Sequence, residues 1–451
     1  MIGLENYKKA LSELPKEINE AEVNIETNEN YMLTVSEGEV VESSYSNTTE
    51  IFARATGEKT GFAYTQDLSE DPAEVIERAY RNSLEITDNK RDFLNRPILG
   101  HNQEKIRINC NVDIEEMKKT AASLEAHVLA SHDSIEKVIV ESRIDITESR
   151  VFNSHGLDVS SCRKVNYLKA DVIAQYKGET YNTTCALSAT DFEKIDFSFM
   201  IDMIINQLEG KFGAGSFEPG EYPVLLDKTV GVNILMTAWQ LFSGIKYLEG
   251  SSALSGKLYN NIGSENFTVY DVPAHEKTGY IYRCDCEGSV SQAHTIVDKG
   301  RLVGLLHNIS TASQMNTKST GNAGRYALLS GTIPTDIIVT PKILYIEKGE
   351  ESVDTLLKEL NNGVYITESY DVFHSINIAS GDFSIPCRGI VIKDGKKHRT
   401  ITGMTISGNL LDLFKNIKAT ANDLYIEEFL MKSYCIGSPS LLLNKIQINA
   451  G

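Results

Sequence analysis

The sequence predicts an α+β fold in two domains: antiparallel strands with helices over residues 1–212, and a mainly antiparallel β domain with few helices over residues 220–451. Three observations carry this expectation. Residues 20–66 and 134–188 alternate polar and apolar with a period near two, the pattern of half-buried strands. The helical stretches of the first half are segregated from those strands instead of alternating with them, which argues against a doubly wound sheet. The segment 210–223 gathers Gly210, Gly213, Gly215, Pro219, Gly220 and Pro223, a composition suited to a domain boundary.

The elements follow in order. "AEVNIET", "YMLTVSEGEVVESS" and "TEIFARAT" read as strands turned at Glu37-Gly38 and Gly57-Glu58. A helix begins at Asp71-Pro72-Ala73-Glu74, with an acceptor at N-cap, Pro at N1 and Glu at N3. Its apolar stripe is Val75, Ile76, Ala79, Tyr80 and Leu84. A second helix starts at Asp113, with Ile114, Met117, Ala121, Leu124 and Val128 as its buried face, and a third spans Phe192–Leu208. Beyond the boundary come a helix over Gly231–Phe242, many short strands with Gly turns to about residue 407, a helix at Leu410–Ile417 capped by Asn409, and a strand-like tail at Ser440–Asn449.

Composition excludes several classes of function. The 451 residues hold 44 Lys plus Arg against 62 Asp plus Glu, a net charge of −18. That balance argues against direct nucleic-acid binding and against a basic membrane-surface patch. No stretch approaches the ~18 apolar residues that span a bilayer, and "MIGLENYKKALSELPKE" lacks the pattern of a signal peptide. Seven scattered cysteines fit reduced thiols, so a cytoplasmic location is expected, and the sequons at Asn47 and Asn182 carry no weight.

Motifs that could carry chemistry are individually weak. His275-Glu276 is the one His-Glu dipeptide, but the next histidine is His294, not one helical turn away. His127 and His132 are five apart and do not share a helix face. Cys284-Asp285-Cys286 would place two thiols on one side of a strand, two ligands short of a zinc site. Cys162, Cys185, Cys387 and Cys435 stand alone. The loop Ser319–Arg325 could cradle an anion through its amides but lacks a P-loop ending. "SGDFS" and "SGNLLDLF" read as turns or caps. Neither a nucleophile elbow nor a dinucleotide fingerprint is present.

A longer series of motifs is specific in combination. It comprises "LEGSSALSGKL" (Leu248–Leu258), Asp285-Cys286-Glu287-Gly288 followed by "VDKGRLVGLL", "STGNAGR", "PTDIIV", "GVYITE", "SGDFS", "TISGNLLDLFKNI", Asn422-Asp423 and the closing "IGSPSLLLNKIQINAG". The N-terminal "AEVNIET", "VSEGEVVESS" and "TGFAYTQDLS" join it. In this order, over nearly the whole chain, the series resembles the TldD/PmbA family, and more closely its PmbA (TldE) branch. The resemblance implies a zinc-peptidase family also known for modulators of DNA gyrase. TldD-type members carry His-Glu-x-x-x-His on a helix early in the C-terminal domain and a Cys ligand near the C-terminus. They act with PmbA-type partners on peptide precursors and unfolded peptides.

Counted back from Gly244 and Gly250, the three motif positions fall here on Leu235, Met236 and Gln240, in a vestigial zinc helix over 231–242. None offers an imidazole or a general base, residues 224–248 contain neither His nor Glu, and Cys435 lies too close to Gly437 to match the TldD cysteine. No catalytic residue, metal ligand or cofactor is therefore expected. Thr320, Gly321, Asn322, Gly381, Asp382 and Asn409 are the candidate peptide-binding or family-motif residues.

The resemblance leaves three readings. The chain is a non-catalytic partner of a TldD-type metalloprotease, in a homo- or hetero-oligomer, helping to hold a peptide or unfolded substrate by strand addition. Alternatively it is an autonomous zinc peptidase with ligands from His275, His294, His307, Cys284 or Cys286. Or it is a non-proteolytic regulator that binds gyrase or another protein.

Overall fold

Long antiparallel hairpins build the N-terminal half of the molecule. The computed structural model describes residues 4–86, 93–96, 111–213, 215–325, 336–428 and 434–450. Helix α1 (Leu4–Ser12) precedes strands β1 (Glu20–Ser36), β2 (Glu39–Thr56) and β3 (Thr60–Thr65). Helices α2 (Pro72–Glu85) and α3 (Ile114–Leu129) come next, then β4 (Ile135–Asn153), β5 (Asp158–Tyr176), β6 (Glu179–Ala189) and helix α4 (Phe197–Lys211). The strands form one sheet in the order β3-β2-β1-β4-β5-β6, every neighbour antiparallel.

Local chemistry accounts for the ends of these elements. Glu37 and Gly38 both take positive φ, 56° and 75°, as a tight hairpin turn requires. Their amides donate to the Glu125 carboxylate of α3 at 2.5 and 2.9 Å, which pins the hairpin to the helix. Asp71 and Asp113 cap α2 and α3 by accepting from the Ala73 and Glu116 amides. The third helix starts at Phe197, not Phe192, because Asp196 supplies the cap to Phe199, and residues 192–194 form a separate 3-10 turn. Two expected core residues face solvent: Leu84 and Ile114 are 64% and 50% exposed, with Ser83 turned inward beside the former.

The C-terminal half contains β7 (Gly220–Leu226), α5 (Lys228–Ala238), α6 (Gly244–Leu248), β8 (Val269–Val272), β9 (His294–Asp298), β10 (Arg301–Leu302), α7 (Ile309–Gln314), β11 (Ala323–Gly324), β12 (Ile338–Val339), β13 (Ile343–Ile346) and α8 (Val353–Leu360). It closes with β14 (Gly363–Ser369), β15 (Asp382–Lys393), β16 (Lys396–Asn409), α9 (Leu410–Asn416), β17 (Ile417–Thr420), β18 (Tyr425–Glu428), β19 (Cys435–Ser438) and β20 (Leu441–Ala450). Strand β16 pairs with both β15 and β20, so β16-β15-β14-β7-β20 closes into a ring with β17 beside β20. A second sheet runs β10-β9-β8-β13-β19-β18.

The α+β expectation holds, with most C-terminal pairs antiparallel. The exceptions are β14–β7 and β13–β19, which are parallel. Both join strands far apart in the chain, where no short hairpin dictates direction. The short helices α1, α6, α7 and α8 were not anticipated. Buried side chains run without interruption from Leu33, Met117 and Leu168 of the first half, through Met200 and Ile204 of α4, to Val224, Ile366 and Ile406 of the ring.

Candidate functional site

The helix on which Leu235 and Met236 were expected to mark a lost zinc site is buried except at Thr229 and Asn233. Asp227 caps α5 by accepting from the Thr229 amide at 2.9 Å and also accepts from the Tyr365 hydroxyl at 2.5 Å, so the helix begins at Lys228, ahead of the expected Gly231. Its expected last turn, Trp239–Phe242, is 3-10. A Cβ on Gly231 would stand 2.3 Å from the Ser438 hydroxyl, so only glycine lets α5 approach β19 this closely. Leu235 and Met236 are buried, and Leu235 borders a small cavity lined by Gly231, Ile234, Ile346, Leu413, Phe414, Ile417 and Leu441. Gln240 donates to the Thr237 carbonyl at 3.4 Å. Zinc, which the resemblance implies for TldD-type relatives, does not fit these residues: the lining is hydrocarbon and offers no imidazole, thiolate or carboxylate.

Polar groups gather instead around the loop Asp285–Gly288. Arg54, fully buried on β2, donates to Glu22 of β1 at 2.9 Å and to Glu287 at 3.1 Å. The other Glu287 oxygen accepts the Ile309 amide at the start of α7, at 2.8 Å. Asp285 accepts the Glu287 and Ser289 amides through one oxygen and the Ala323 amide through the other, at 3.0, 2.8 and 3.0 Å. Asn24 and Asn95 donate to the Cys286 and Glu287 carbonyls at 3.4 and 3.1 Å. The N-terminal hairpin is thereby fastened to a C-terminal loop through a shared buried charge cluster.

Electrostatics follow from that burial. Loss of water pushes Glu287 up to about 8; Arg54 opposes the rise and Asp285 adds to it. Burial likewise raises Asp285, opposed by Lys342, and Asp271, opposed by His294. His307 is lowered to about 4 by burial and by His294. Burial pushes the Cys284 and Cys286 thiols up to about 11 and 12, so neither is a thiolate near neutral pH.

The six candidate peptide-binding or family-motif residues occupy two different settings. Thr320, Gly321 and Asn322 belong to the buried polar region. The Asn322 amide donates to Asp271 at 2.7 Å and to the Thr340 carbonyl at 2.9 Å; the Thr320 hydroxyl donates to Asn322 and accepts the His307 amide. Gly321 has φ +75°, and a Cβ there would meet the Val290 carbonyl at 2.6 Å. Gly381, Asp382 and Asn409 form a helix cap. Asn409 accepts from the Leu411 amide and donates to Asp382 and to the Ser380 carbonyl, while the Gly381 carbonyl accepts the Leu410 amide.

The histidines and cysteines of the autonomous-peptidase reading do not converge. His275 packs on the Tyr345 ring, His294 stands 3.8 Å from Asp271, and His307 is buried against Thr311. His127 and His132 lie against Phe197 and Phe212. Among the described residues no group of three or more His, Cys, Asp or Glu side chains could hold a metal ion. His101 and Cys110 lie outside the described residues.

Cavities open on both sides of the Asp285–Gly288 loop. The larger, about 950 Å³, is bordered by Asn95, Arg150, Asp158, Gly288, Gln292 and Lys318. The smaller, about 110 Å³, is bordered by Asn24, Phe52, Arg163, Tyr282, Arg325 and Lys342, with Cys284 and Cys286 in its wall. The residues of this junction escaped sequence reasoning, except for the stretch from Cys284 through the Asp-Cys-Glu-Gly motif and the Ser319–Arg325 loop. The available signal was two acids in a stretch flanked by Tyr280, Tyr282 and cysteines, a setting where unpaired carboxylates are rare.

Similarity to known proteins extends over both halves of the chain. Residues 219–450 match the model of the PmbA/TldA metallopeptidase C-terminal domain, and residues 21–83 that of PmbA/TldA metallopeptidase domain 1. A metalloprotease PmbA homologue of Buchnera aphidicola (subspecies Baizongia pistaciae) is 27% identical over 321 residues, spanning 67% of this chain and 66% of that one. Two solved structures share the fold. One is a proposed DNA gyrase modulator of Thermotoga maritima, with TM-score 0.82, 23% identity, and 99% and 100% of the two chains covered. The other is TldE of Thermococcus kodakarensis, with TM-score 0.82, 20% identity, and 97% and 98% covered.

Proposed function

The chain belongs to the PmbA/TldD metallopeptidase family, and on that premise we propose that it is the non-catalytic partner subunit of a TldD-type zinc protease that processes or degrades extended peptides. The observation that carries this reading is α5. Where relatives of the TldD type are expected to hold their ion, this chain buries Leu235 and Met236 against hydrocarbon. Water activation is thereby left to the partner, and this subunit contributes surfaces for partner and substrate.

Two features support such a role. Strand β2 is paired by β3 only from Ile51 onward, so its segment from Glu39 to Glu50 has no strand on its outer side among the described residues, and Val41 and Tyr45 are exposed there. An open edge of this kind accepts an extended segment by main-chain hydrogen bonding. The larger cavity is within the size range of a ligand site.

The test is a mixing experiment. A TldD-type protein is assayed on a fluorogenic extended peptide alone and with this chain. The expected result is faster cleavage by the mixture and none by this chain alone. Equal rates with and without the chain would reject the partner role.

A further inference from the structure

We propose that the smaller cavity is a receptor for the C-terminal carboxylate of a peptide, which deepens the partner-subunit reading by assigning one end of the substrate to this chain. The charge of the wall points there first. Arg163, Arg283, Arg325 and Lys342 border the cavity against two carboxylates, Glu26 and Asp285, in a chain whose net charge is −18. The carboxylate of Asp285 is occupied by three backbone amides. Arg163 lies across the Tyr280 and Tyr282 rings and donates to Thr147; Lys342 stands over the Tyr282 ring and donates to the Ala323 carbonyl. Neither cation has a carboxylate within ion-pairing distance among the described residues. Asp285 and Glu26 act on these cations only from beyond ion-pairing distance, so an incoming oxyanion can make the direct charge-assisted hydrogen bonds that they lack.

A second observation selects a peptide terminus over a bare anion. Asn24, 3% exposed and bordering the cavity, has a side-chain oxygen with no hydrogen-bond partner. The orientation of its amide is fixed, because the nitrogen donates to the Cys286 carbonyl. An unsatisfied acceptor needs an N–H donor. A carboxylate with an adjacent N–H is the signature of the last residue of a peptide, whereas acetate has no donor and phosphate, which keeps a P–OH at neutral pH, has no N–H beside its anionic oxygens. Phe52, Ile281 and Tyr282 supply apolar wall for the terminal side chain.

The experiment uses the full chain alone, so it is independent of any partner or of cleavage. N-terminally fluorescein-labelled penta-alanine with a free C-terminal carboxylate is titrated by fluorescence anisotropy beside the same peptide ending in a carboxamide. The acid should bind about tenfold more tightly, one charge-assisted contact's worth of affinity. Arg163→Gln should remove that difference and leave amide binding unaltered. Equal affinity of acid and amide for the unaltered chain, or no binding of either, overturns the proposal without any variant needing to fold. Inorganic phosphate displacing the acid peptide better than N-acetylalanine does would also overturn it, as a phosphate site. Failure of the mixing experiment with a retained acid preference would reject the partner role alone.

Discussion

Arg54 is the most constrained charged side chain of the junction, with no exposed surface and two carboxylates on it. Removing it strands the Glu22 carboxylate in a medium that cannot solvate it and takes a donor from Glu287. Arg54→Met should cost about 3–5 kcal/mol in urea unfolding, the range for breaking a buried ion pair from one side. Glu287 gives a pH signature. Its proton is held in the folded chain up to about 8, above the ordinary 4.5. The stability it contributes is therefore complete below pH 4.5 and is lost as pH rises through 8. Glu287→Gln should flatten that decline, and urea midpoints measured from pH 5 to pH 8.5 would show it; an unaltered slope would mean that the carboxyl is ionised throughout. None of this clustering was legible in the sequence, because Arg54 and Glu287 are 233 residues apart and only the fold brings them together.

At the scale of elements, capping made α2, α3 and α9 readable: Asp71, Asp113 and Asn409 each accept from the helix they precede, as their sequence context suggested. Helices α6 and α7 run only five and six residues, too short for a periodic stripe to register. Helix α5 was legible as helix and as apolar, but its extra N-terminal turn hung on Asp227, whose partner Tyr365 is distant in the chain. Its burial has an energetic consequence. Leu235→Ala should destabilise the chain by about 2–5 kcal/mol, the cost of a large-to-small change in a tight core, read from urea unfolding. A loss below 1 kcal/mol would mean that the helix face is solvated and open.

At the scale of the whole molecule, the shared core and the Arg54–Glu287 link couple the two halves. Near- and far-ultraviolet circular dichroism should therefore report one coincident thermal transition; two separated transitions would show that the halves fold independently. The glycine-rich stretch that suggested a boundary leads from the end of α4 into β7, and composition alone could not reveal the side chains that pack across it. Among the described residues no helix is long and apolar enough to cross a membrane. The central claim is that α5 holds no metal because its side chains cannot. Zinc per chain, measured by mass spectrometry on protein purified without chelator and then dialysed against micromolar zinc, tests it most directly. The account predicts well under about a tenth of an equivalent. One equivalent that survives dialysis, and is lost on Met236→Leu or Gln240→Leu, would contradict it.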